Sequence, residues 1–334
     1  MSKIYYTEGP ASKEITGDLF SAGANGIRLT FSYSTPEYQL ERARSALATA
    51  KTLKKQIFVI ADLEGGGARL GEINYNENQS FPVVKDEIID IVNAQKTLIT
   101  DRKKLPVPDK GVYEALKVGD VLILGDGNAS LEVVQSGDSL AVKSRFDAVV
   151  EGRRGLFVQA DNFAPACMTA KDWRDLEHIS VHDEYDAVAI SFVSTPEDVL
   201  KVKQILVDAG GSHQIIAKIE TKNGVENIDE ITKVADQIMV ARGDLAYAFP
   251  WQEMPRAVDK IVAACKVNKK PFIMATQVAE SMVHGNMMTR AEMTDLWHWK
   301  IEGMDGVLIS RETAWGERPL DTIASIQSLL NVAQ

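Results

Sequence analysis

Eight short apolar segments recur along the chain, and stretches with helical periodicity separate most of them. Each segment is a near-continuous run of apolar and β-branched residues, which is typical of parallel strands buried on both faces. Eight such strand–helix units predict an α/β fold, a TIM (β/α)8 barrel rather than an open doubly wound sheet. The predicted strands are Lys3–Tyr6, Ile27–Phe31, Ile57–Asp62, Ala187–Phe192, Ile215–Glu220, Gln237–Ala241, Phe272–Thr276 and Gly306–Ser310.

Helix signals lie between these strands. Pro196 and the acidic residue after it, preceded by Ser194 and Thr195, form a typical helix start. The predicted helices are Pro36–Lys54, Pro196–Ala209, Met254–Asn268 and Thr289–Glu302.

A long interval between the third and fourth strands breaks the alternation. Its short predicted strands are Gly119–Leu124, Ala129–Val134 and Leu140–Val142, separated by GDG and SGD turns. This pattern predicts a small, mainly β insertion over residues 70–157, with the barrel formed by residues 1–69 and 158–334.

Three consecutive glycines, Gly65, Gly66 and Gly67, precede the insertion. A triple glycine can cradle phosphate, but the lysine and Ser/Thr of a P-loop are missing here. Glycine also tolerates unusual backbone angles, so the favoured interpretation is a hinge between barrel and insertion.

Composition excludes several classes of function. The 334 residues are 45% hydrophobic and 25% charged, the net charge is -10, and no dense basic run indicates a nucleic-acid partner. The two cysteines, Cys167 and Cys265, lack metal-ligand spacing, which favours a reducing cytoplasm over a disulfide framework or a zinc site. No segment reaches the roughly 20 apolar residues of a membrane-spanning helix, and the N-terminus has no secretory signal pattern.

The strongest chemical signal lies at the ends of the fifth and sixth predicted strands. Lys218 and Glu220 are two residues apart and therefore face the same side of a strand, while Asp244 follows the next strand. Two carboxylates on adjacent strands suit a hard divalent cation, Mg2+ or Mn2+, with an ammonium group beside it. Such a site can stabilise negative charge on oxygen, which favours an enzyme.

Further polar residues fall at other predicted strand ends: Arg28, Asp62, Ser191, Thr276, and Ser310 with Glu312. In barrel enzymes the catalytic groups gather at the carboxyl ends of the strands. Each residue also has a structural interpretation, for example Asp244 as a helix cap or Glu220 as an ion-pair partner of Lys222 or Arg242. Convergence on one face favours an active site.

Longer motifs extend this pattern along the chain. They are IIAKIETKNGVENIDEI with IMVARGDLA, YTEGPAS, IRLTFSYS, ATQVAESM, MTRAEMTDL and GVLISRETAWGERP, and within the insertion VGDVLILGDGNASLEV and EGRRG. Together they resemble the pyruvate kinase family over essentially the whole chain. The resemblance implies a TIM barrel with a small β-barrel lid inserted after the third strand.

The resemblance also implies roles for the strand-end residues. Glu220 and Asp244 would ligate the divalent cation that holds the carboxylate and enol oxygen of phosphoenolpyruvate or pyruvate. Lys218 would lie beside the transferred phosphoryl group and the developing enolate. Thr276 would lie near the methyl carbon, where the enol is protonated.

The binding residues follow in the same way. Backbone N–H groups of Gly243 and Asp244 would receive the substrate carboxylate. Arg28 would reach the phosphoryl group and Arg69 the nucleotide phosphates, roles that suit the charge and fork geometry of arginine.

Several positions depart from the family pattern. Thr30 stands in place of an asparagine, Tyr33 of a histidine, Leu63 of a threonine, Glu64 of a lysine and Gly67 of a glutamate. Of the family's monovalent-cation ligands, Ser32 and Asp62 remain, while Leu63 offers no side-chain oxygen, so a dependence on K+ is in question. Glu64 adds negative charge, which we expect to weaken affinity for a phosphorylated substrate.

Other departures lie towards the C-terminus. Arg311 replaces a glycine and is either a new anion contact or a surface salt-bridge partner. Trp297, His298 and Trp299 replace small residues on a helix that packs between subunits in the family, which favours a repacked interface or core over ligand binding. The chain ends at Gln334, so we expect the family's C-terminal allosteric domain to be absent, while a dimer through barrel faces stays compatible with the sequence.

Three functions remain open from the sequence. The first is phosphoryl transfer between an enolpyruvate phosphate and a nucleotide in a specialised pathway. The second is enolate chemistry on a 2-oxo acid without phosphoryl transfer, as in a decarboxylase or aldolase-type lyase. The third, which the intact metal pair disfavours, is a non-catalytic protein that binds a small acid or a partner protein.

Overall fold

The computed structural model describes residues 2–75, 78–99, 103–125, 127–159 and 165–332. The chain divides into two compact units. The first comprises Met1–Gly66, Ala166–Leu245 and Glu253–Gln334, and the second comprises Gly67–Pro165 with Ala246–Gln252. The second unit is therefore somewhat wider than the predicted insertion.

The first unit begins with three strands and two helices. In chain order these are β1 (Lys3–Thr7), α1 (Thr16–Ala22), β2 (Gly26–Thr30), α2 (Pro36–Thr52) and β3 (Phe58–Asp62), with a 3-10 turn at Phe31–Tyr33 after β2. The start of α2 is fixed by Thr35, whose side chain accepts a hydrogen bond from the Tyr38 N–H, and by Pro36 in the first turn.

The second unit is rich in short strands. Its elements are β4 (Glu72–Tyr75), β5 (Ser80–Val83), β6 (Ile88–Val92), β7 (Lys96–Ile99), β8 (Lys104–Pro106), α3 (Lys110–Ala115), β9 (Val121–Leu124), β10 (Ala129–Gln135), β11 (Leu140–Ser144), β12 (Ala148–Glu151) and β13 (Leu156–Gln159). Among the described residues, β13-β9-β10-β11-β6-β8 form one sheet, and β12-β5 and β4-β7 form two-stranded ladders. Fully buried residues such as Phe81, Leu105 and Leu131 give the unit a core of its own.

The chain then resumes the strand–helix alternation of the first unit, except that residues 246–248, at the end of one helix, belong to the second unit. The elements are α4 (Ala170–Ser180), β14 (Ala187–Ile190), α5 (Pro196–Asp208), β15 (Gln214–Ile219), α6 (Lys222–Glu226), α7 (Ile228–Val234), β16 (Gln237–Ala241), α8 (Arg242–Ala248), α9 (Met254–Val267), β17 (Phe272–Ala275), a 3-10 turn (Glu280–Val283), α10 (Arg290–Ile301), β18 (Gly306–Ile309), α11 (Arg311–Ala314) and α12 (Pro319–Val332).

Eight parallel strands of the described chain close into a barrel in the order β1-β18-β17-β16-β15-β14-β3-β2. Most of their residues are apolar and buried, as expected for a sheet covered on both faces. The barrel interior is filled by side chains including Tyr5, Ile60, Ile216, Met239 and Leu308. The predicted α/β fold class, a TIM barrel, is confirmed.

Five predicted strands end one or two residues earlier than the sequence indicated, and just beyond the end of two of them lies a residue with positive φ. Phe192 and Thr276 were expected to lie inside strands, but they have φ values of 53° and 70°. Extended backbone requires negative φ, so β14 and β17 stop before them. Both residues lie at the carboxyl end of the barrel, where such backbone strain often accompanies a functional site.

Candidate active site

A lysine lies between two carboxylates at the carboxyl end of the barrel. The Lys218 ammonium is 3.3 Å from Asp62 Oδ1 and 3.4 Å from Glu220 Oε1, and it donates a hydrogen bond of 2.7 Å to Ser191 Oγ. These side chains are almost completely buried. Parallel neighbouring strands bring them together: Asp62 ends β3, Ser191 directly follows β14, and Lys218 and Glu220 lie at the carboxyl end of β15.

Arg28 extends the ion network. Its Nε donates to Asp62 Oδ2 at 2.5 Å, and its Nη1 donates to Thr7 Oγ1 at 3.3 Å. Asp62 is thus shared by a guanidinium on one oxygen and an ammonium on the other. The two cations therefore lie on either side of one buried carboxylate.

The protonation states follow from this arrangement. Burial opposes the charged form of Lys218, but Asp62 and Glu220 outweigh it and hold the lysine pKa above its ordinary value. Burial likewise opposes ionisation of Asp62, yet Arg28 and Lys218 hold the pKa of that carboxyl below its ordinary value. The site therefore keeps a fixed positive charge on Lys218 at neutral pH.

Glu220 is oriented by the backbone. Its Oε2 accepts a hydrogen bond of 2.8 Å from the N–H of Phe192, and its other oxygen faces Lys218. Asp244 lies in the first turn of α8, is half-buried, and is close enough to Lys218 to favour the charged form of the lysine.

The predicted metal pair is chemically suited to Mg2+. Glu220 and Asp244 offer two oxygen donors on adjacent strand ends, and Mg2+ is usually held by one or two carboxylates together with substrate oxygens and water. Within the described residues no group of three or more His, Cys, Asp or Glu is arranged to hold a metal alone. A metal here would therefore depend on the substrate for part of its coordination.

Thr276 and Gly243 meet at the next strand ends. A side-chain carbon on Gly243 would lie 3.1 Å from Thr276 Cγ2, so a larger residue there would require Thr276 to shift by a few tenths of an ångström. Arg242 fixes the other side of the corner by donating to the Thr276 carbonyl at 2.9 Å. The Thr276 side chain and the Gly243 backbone are thus adjacent.

Ser32 and Asp62, which were predicted to remain from a monovalent-cation site, lie on different elements. Ser32 lies in the 3-10 turn after β2 and is half-buried. Both oxygens of Asp62 already face Arg28 and Lys218. The Leu63 side chain is fully buried, and its carbonyl accepts a hydrogen bond from Ser191.

The backbone of the glycine-rich turn after β3 is bound by a carboxylate from another element. Asp172, at the start of α4, accepts hydrogen bonds of 2.9 and 3.2 Å from the N–H groups of Glu64 and Gly65. Gly65 has a φ of 72°, and a side chain there would lie 2.7 Å from Ser191 Cβ. Two backbone amides of this turn therefore donate to Asp172. The turn also packs directly against Ser191, which accepts a hydrogen bond from Lys218.

Arg69 belongs to the second unit. Its side chain is exposed, and its backbone forms a β-bridge with Gly155. Its predicted role towards nucleotide phosphates stays a prediction, as do the other residue roles inferred from the motifs.

The structure gives contacts for Arg311 and for Trp299, whose roles the sequence left open. Arg311 forms an ion pair of 3.3 Å with Glu280, which is the salt-bridge alternative. Trp299 is buried and its indole N–H donates to Asp295 at 2.7 Å, whereas Trp297 is 40% exposed. Trp299 is thus a core residue of the barrel unit.

Three side chains that shape the site were not assigned a role from the sequence: Ser191, Arg242 and Asp172. Ser191 lies at a predicted strand end, and that position alone could have indicated its contact with Lys218. The partners of Arg242 and Asp172 come from distant segments, so no local signal indicated them.

Comparison with known proteins agrees with this geometry. The family profile described as "Pyruvate kinase, barrel domain" matches residues 1–323. The chain belongs to the pyruvate kinase family. The resemblance inferred from the motifs is therefore confirmed, and the chain is a pyruvate kinase-like enzyme by family.

Individual relatives support the same conclusion. A pyruvate kinase of Thermotoga maritima is 32% identical over 337 residues, covering 100% of this chain and 71% of that protein. A pyruvate kinase of Clostridium acetobutylicum is 31% identical, covering 100% of this chain and 70% of that protein. A pyruvate kinase of Candida albicans is 30% identical, covering 100% of this chain and 67% of that protein. Among the described residues of this chain, no helix is both long enough and apolar enough to span a bilayer.

Proposed function

We propose that the protein transfers a phosphoryl group between an enolpyruvate phosphate and a nucleotide, through the enolate of pyruvate or a larger 2-oxo acid. The observation that carries the proposal is the buried Lys218 ammonium, held between Ser191, Asp62 and Glu220 at the carboxyl end of the barrel. Fixed positive charge where an enolate forms is a major source of catalysis. Family membership supports the same reaction class.

The binding step uses backbone and arginine groups. The substrate carboxylate would meet the N–H groups of Gly243 and Asp244, and its phosphoryl group would meet Arg28. Arg28 is held in place by Asp62 and Thr7, so little ordering is needed on binding. Arg69 in the second unit is the proposed contact for nucleotide phosphates.

Metal binding would fall to Glu220 and Asp244. When bound, Mg2+ or Mn2+ would supply positive charge to the enol oxygen and the substrate carboxylate. Glu220 keeps its orientation without the metal, since one oxygen accepts from Phe192 and the other faces Lys218.

The chemical step leaves one electron pair to be stabilised. The bond between phosphorus and the enol oxygen breaks, and a bond forms between phosphorus and the terminal oxygen of a nucleoside diphosphate. The electron pair remains on the enol oxygen, beside Lys218. The carbonyl forms as the methylene carbon takes a proton, delivered through water beside the Thr276 hydroxyl.

Enolate chemistry without phosphoryl transfer is the alternative. It is favoured by the apolar, buried Leu63 and by Asp62, whose oxygens are both engaged by cations of the protein. Decarboxylation or aldol cleavage of a 2-oxo acid needs Lys218, Glu220, Asp244 and Thr276 alone. A non-catalytic binding protein is disfavoured because the buried, charged site has no evident structural purpose.

The proposed setting is a cytoplasmic enzyme that acts on small molecules and has no nucleic-acid partner. A homodimer through barrel faces remains part of this proposal. Dependence on K+ is not expected.

The test is formation of pyruvate from phosphoenolpyruvate and ADP with Mg2+, with and without K+. Turnover that disappears in Glu220→Gln but persists in Glu226→Gln, a change on the nearby α6, supports the proposal. Absence of turnover combined with Mg2+-dependent exchange of pyruvate methyl protons would favour the alternative. Absence of both would contradict both enzyme assignments.

A further inference from the structure

The corner that carries Thr276 is strained. Thr276 and Gln277 have φ values of 70° and 51°, in the left-handed region that non-glycine residues rarely adopt. Two such residues in succession are costly, at about 1–3 kcal/mol each, and persist only where surrounding groups impose them. The position of the Thr276 hydroxyl therefore depends on the contacts that hold this corner.

Arg242 supplies those contacts. Its guanidinium donates to the carbonyl of Thr276 through Nη2 at 2.9 Å and Nε at 3.2 Å, and to the carbonyls of Ala275 and Gln277 at 3.3 Å each. The side chain of Arg242 is only 14% exposed. One guanidinium thus binds three consecutive carbonyls around the strained residues.

Arg242 is itself oriented from helix α10. Its Nη1 donates to Asp295 Oδ2 at 2.6 Å, and the indole N–H of Trp299 donates to Asp295 Oδ1 at 2.7 Å. Asp295 and Trp299 are separated by one helical turn, so the indole reaches back to the carboxylate along the same face. Trp299 is 8% exposed, whereas the side chain of Asp295 is 34% exposed, so the indole N–H is the buried partner of a partly exposed carboxylate.

We propose that Trp299 is a positioning residue that acts on Thr276 through Asp295 and Arg242. The indole N–H fixes one carboxylate oxygen of Asp295, so that the other oxygen holds the guanidinium in the plane that meets the three carbonyls. This inference rests on the proposed function for the role of Thr276. The contacts from Trp299 to the strained corner are independent of that function.

Trp297 provides a matched comparison. It lies on the same helix and is the same residue type, but it is 40% exposed and the structure gives its side chain no hydrogen bond in the described part of the chain. Changing either tryptophan to phenylalanine removes one indole N–H and keeps an aromatic ring. Only the change at Trp299 breaks a contact with Asp295.

The experiment measures Mg2+-dependent exchange of pyruvate methyl protons in deuterium oxide for wild type, Trp299→Phe and Trp297→Phe. Trp299→Phe should lower kcat for exchange about tenfold with KM changed less than about twofold, since a small displacement of a catalytic group affects the reacting state more than binding. Trp297→Phe should match wild type. In a Thr276→Val background, Trp299→Phe should cause little further loss, because the two changes act on the same step.

A readout without catalysis separates this inference from the proposed function. Hydrogen–deuterium exchange of the backbone amides of residues 275–279 should be faster in Trp299→Phe than in Trp297→Phe. If wild type neither forms pyruvate from phosphoenolpyruvate nor exchanges methyl protons, the proposed function fails, and the amide comparison still decides the role of Trp299. Equal amide exchange in the two variants, or equal kcat for methyl exchange, would overturn the inference.

Discussion

Replacing Lys218 by methionine should destabilise the protein as well as inactivate it. The ammonium lies 3.3 and 3.4 Å from two buried carboxylates. At an effective dielectric constant of about 20, each pair contributes roughly 5 kcal/mol of Coulomb attraction. Much of this offsets the desolvation of the three ions, so the measured loss should be about 3–5 kcal/mol, the range for breaking a buried pair. For a chain of 334 residues, whose unfolding entropy is about 0.7 kcal/mol/K, this corresponds to a fall of roughly 4–7 °C in the thermal midpoint.

The assay is urea denaturation of Lys218→Met against two matched variants. Lys203→Met removes a lysine of α5 that is 46% exposed and 3.9 Å from Asp236, so it should change the free energy of unfolding by less than about 0.5 kcal/mol. Lys218→Arg keeps the charge and should recover part of the stability without restoring the geometry. If Lys218→Met and Lys203→Met are equally stable, the buried ion network does not contribute the stability calculated for it.

Three further predictions follow from the same contacts. The pKa of Asp62 is held below its ordinary value, so the ionised carboxylate contributes its full stabilisation above the unfolded-state pKa of about 4 and loses it as pH falls through the lower folded-state pKa. Asp62→Asn should therefore flatten the acid side of a plot of unfolding free energy against pH, and an unchanged acid side would contradict the assignment. Gly65→Ala adds a side chain 2.7 Å from Ser191 Cβ at a φ of 72°. It should cost more stability and activity than Gly210→Ala, where φ is 77° and the added atom meets nothing within 4 Å, so that this control measures only the backbone cost of about 1 kcal/mol. Equal losses would show that the contact with Ser191 is unimportant. Replacing K+ by a quaternary ammonium ion should leave turnover within about twofold, because the Asp62 oxygens already face two cations, and a loss of more than tenfold would indicate a working monovalent-cation site.

Much of the barrel was predictable because periodicity and strand burial determine it. Eight apolar runs became eight parallel strands, and the two-residue spacing of Lys218 and Glu220 placed both at one strand end. The ends of β14 and β17 were not predictable. Phe192 and Thr276 are compatible with strands by residue type, and their positive φ values arise from tertiary contacts.

The contacts that hold the site residues in place also could not be predicted from the sequence. Asp172 is distant in the chain from the turn whose amides it accepts, and Trp299 is distant from the corner it supports through Arg242. Such partners are selected by packing of helices against strand ends. A motif identifies the groups that react, whereas the groups that hold them require the fold.

The central claim is that Lys218 and the carboxylate pair stabilise an enolate. Its most direct test is exchange of pyruvate methyl protons in deuterium oxide, followed by NMR, with and without Mg2+. Wild type should exchange only with the metal, and Lys218→Met and Glu220→Gln should each lose at least about 100-fold in rate while Lys203→Met keeps it. Exchange that persists undiminished in Lys218→Met would contradict the account.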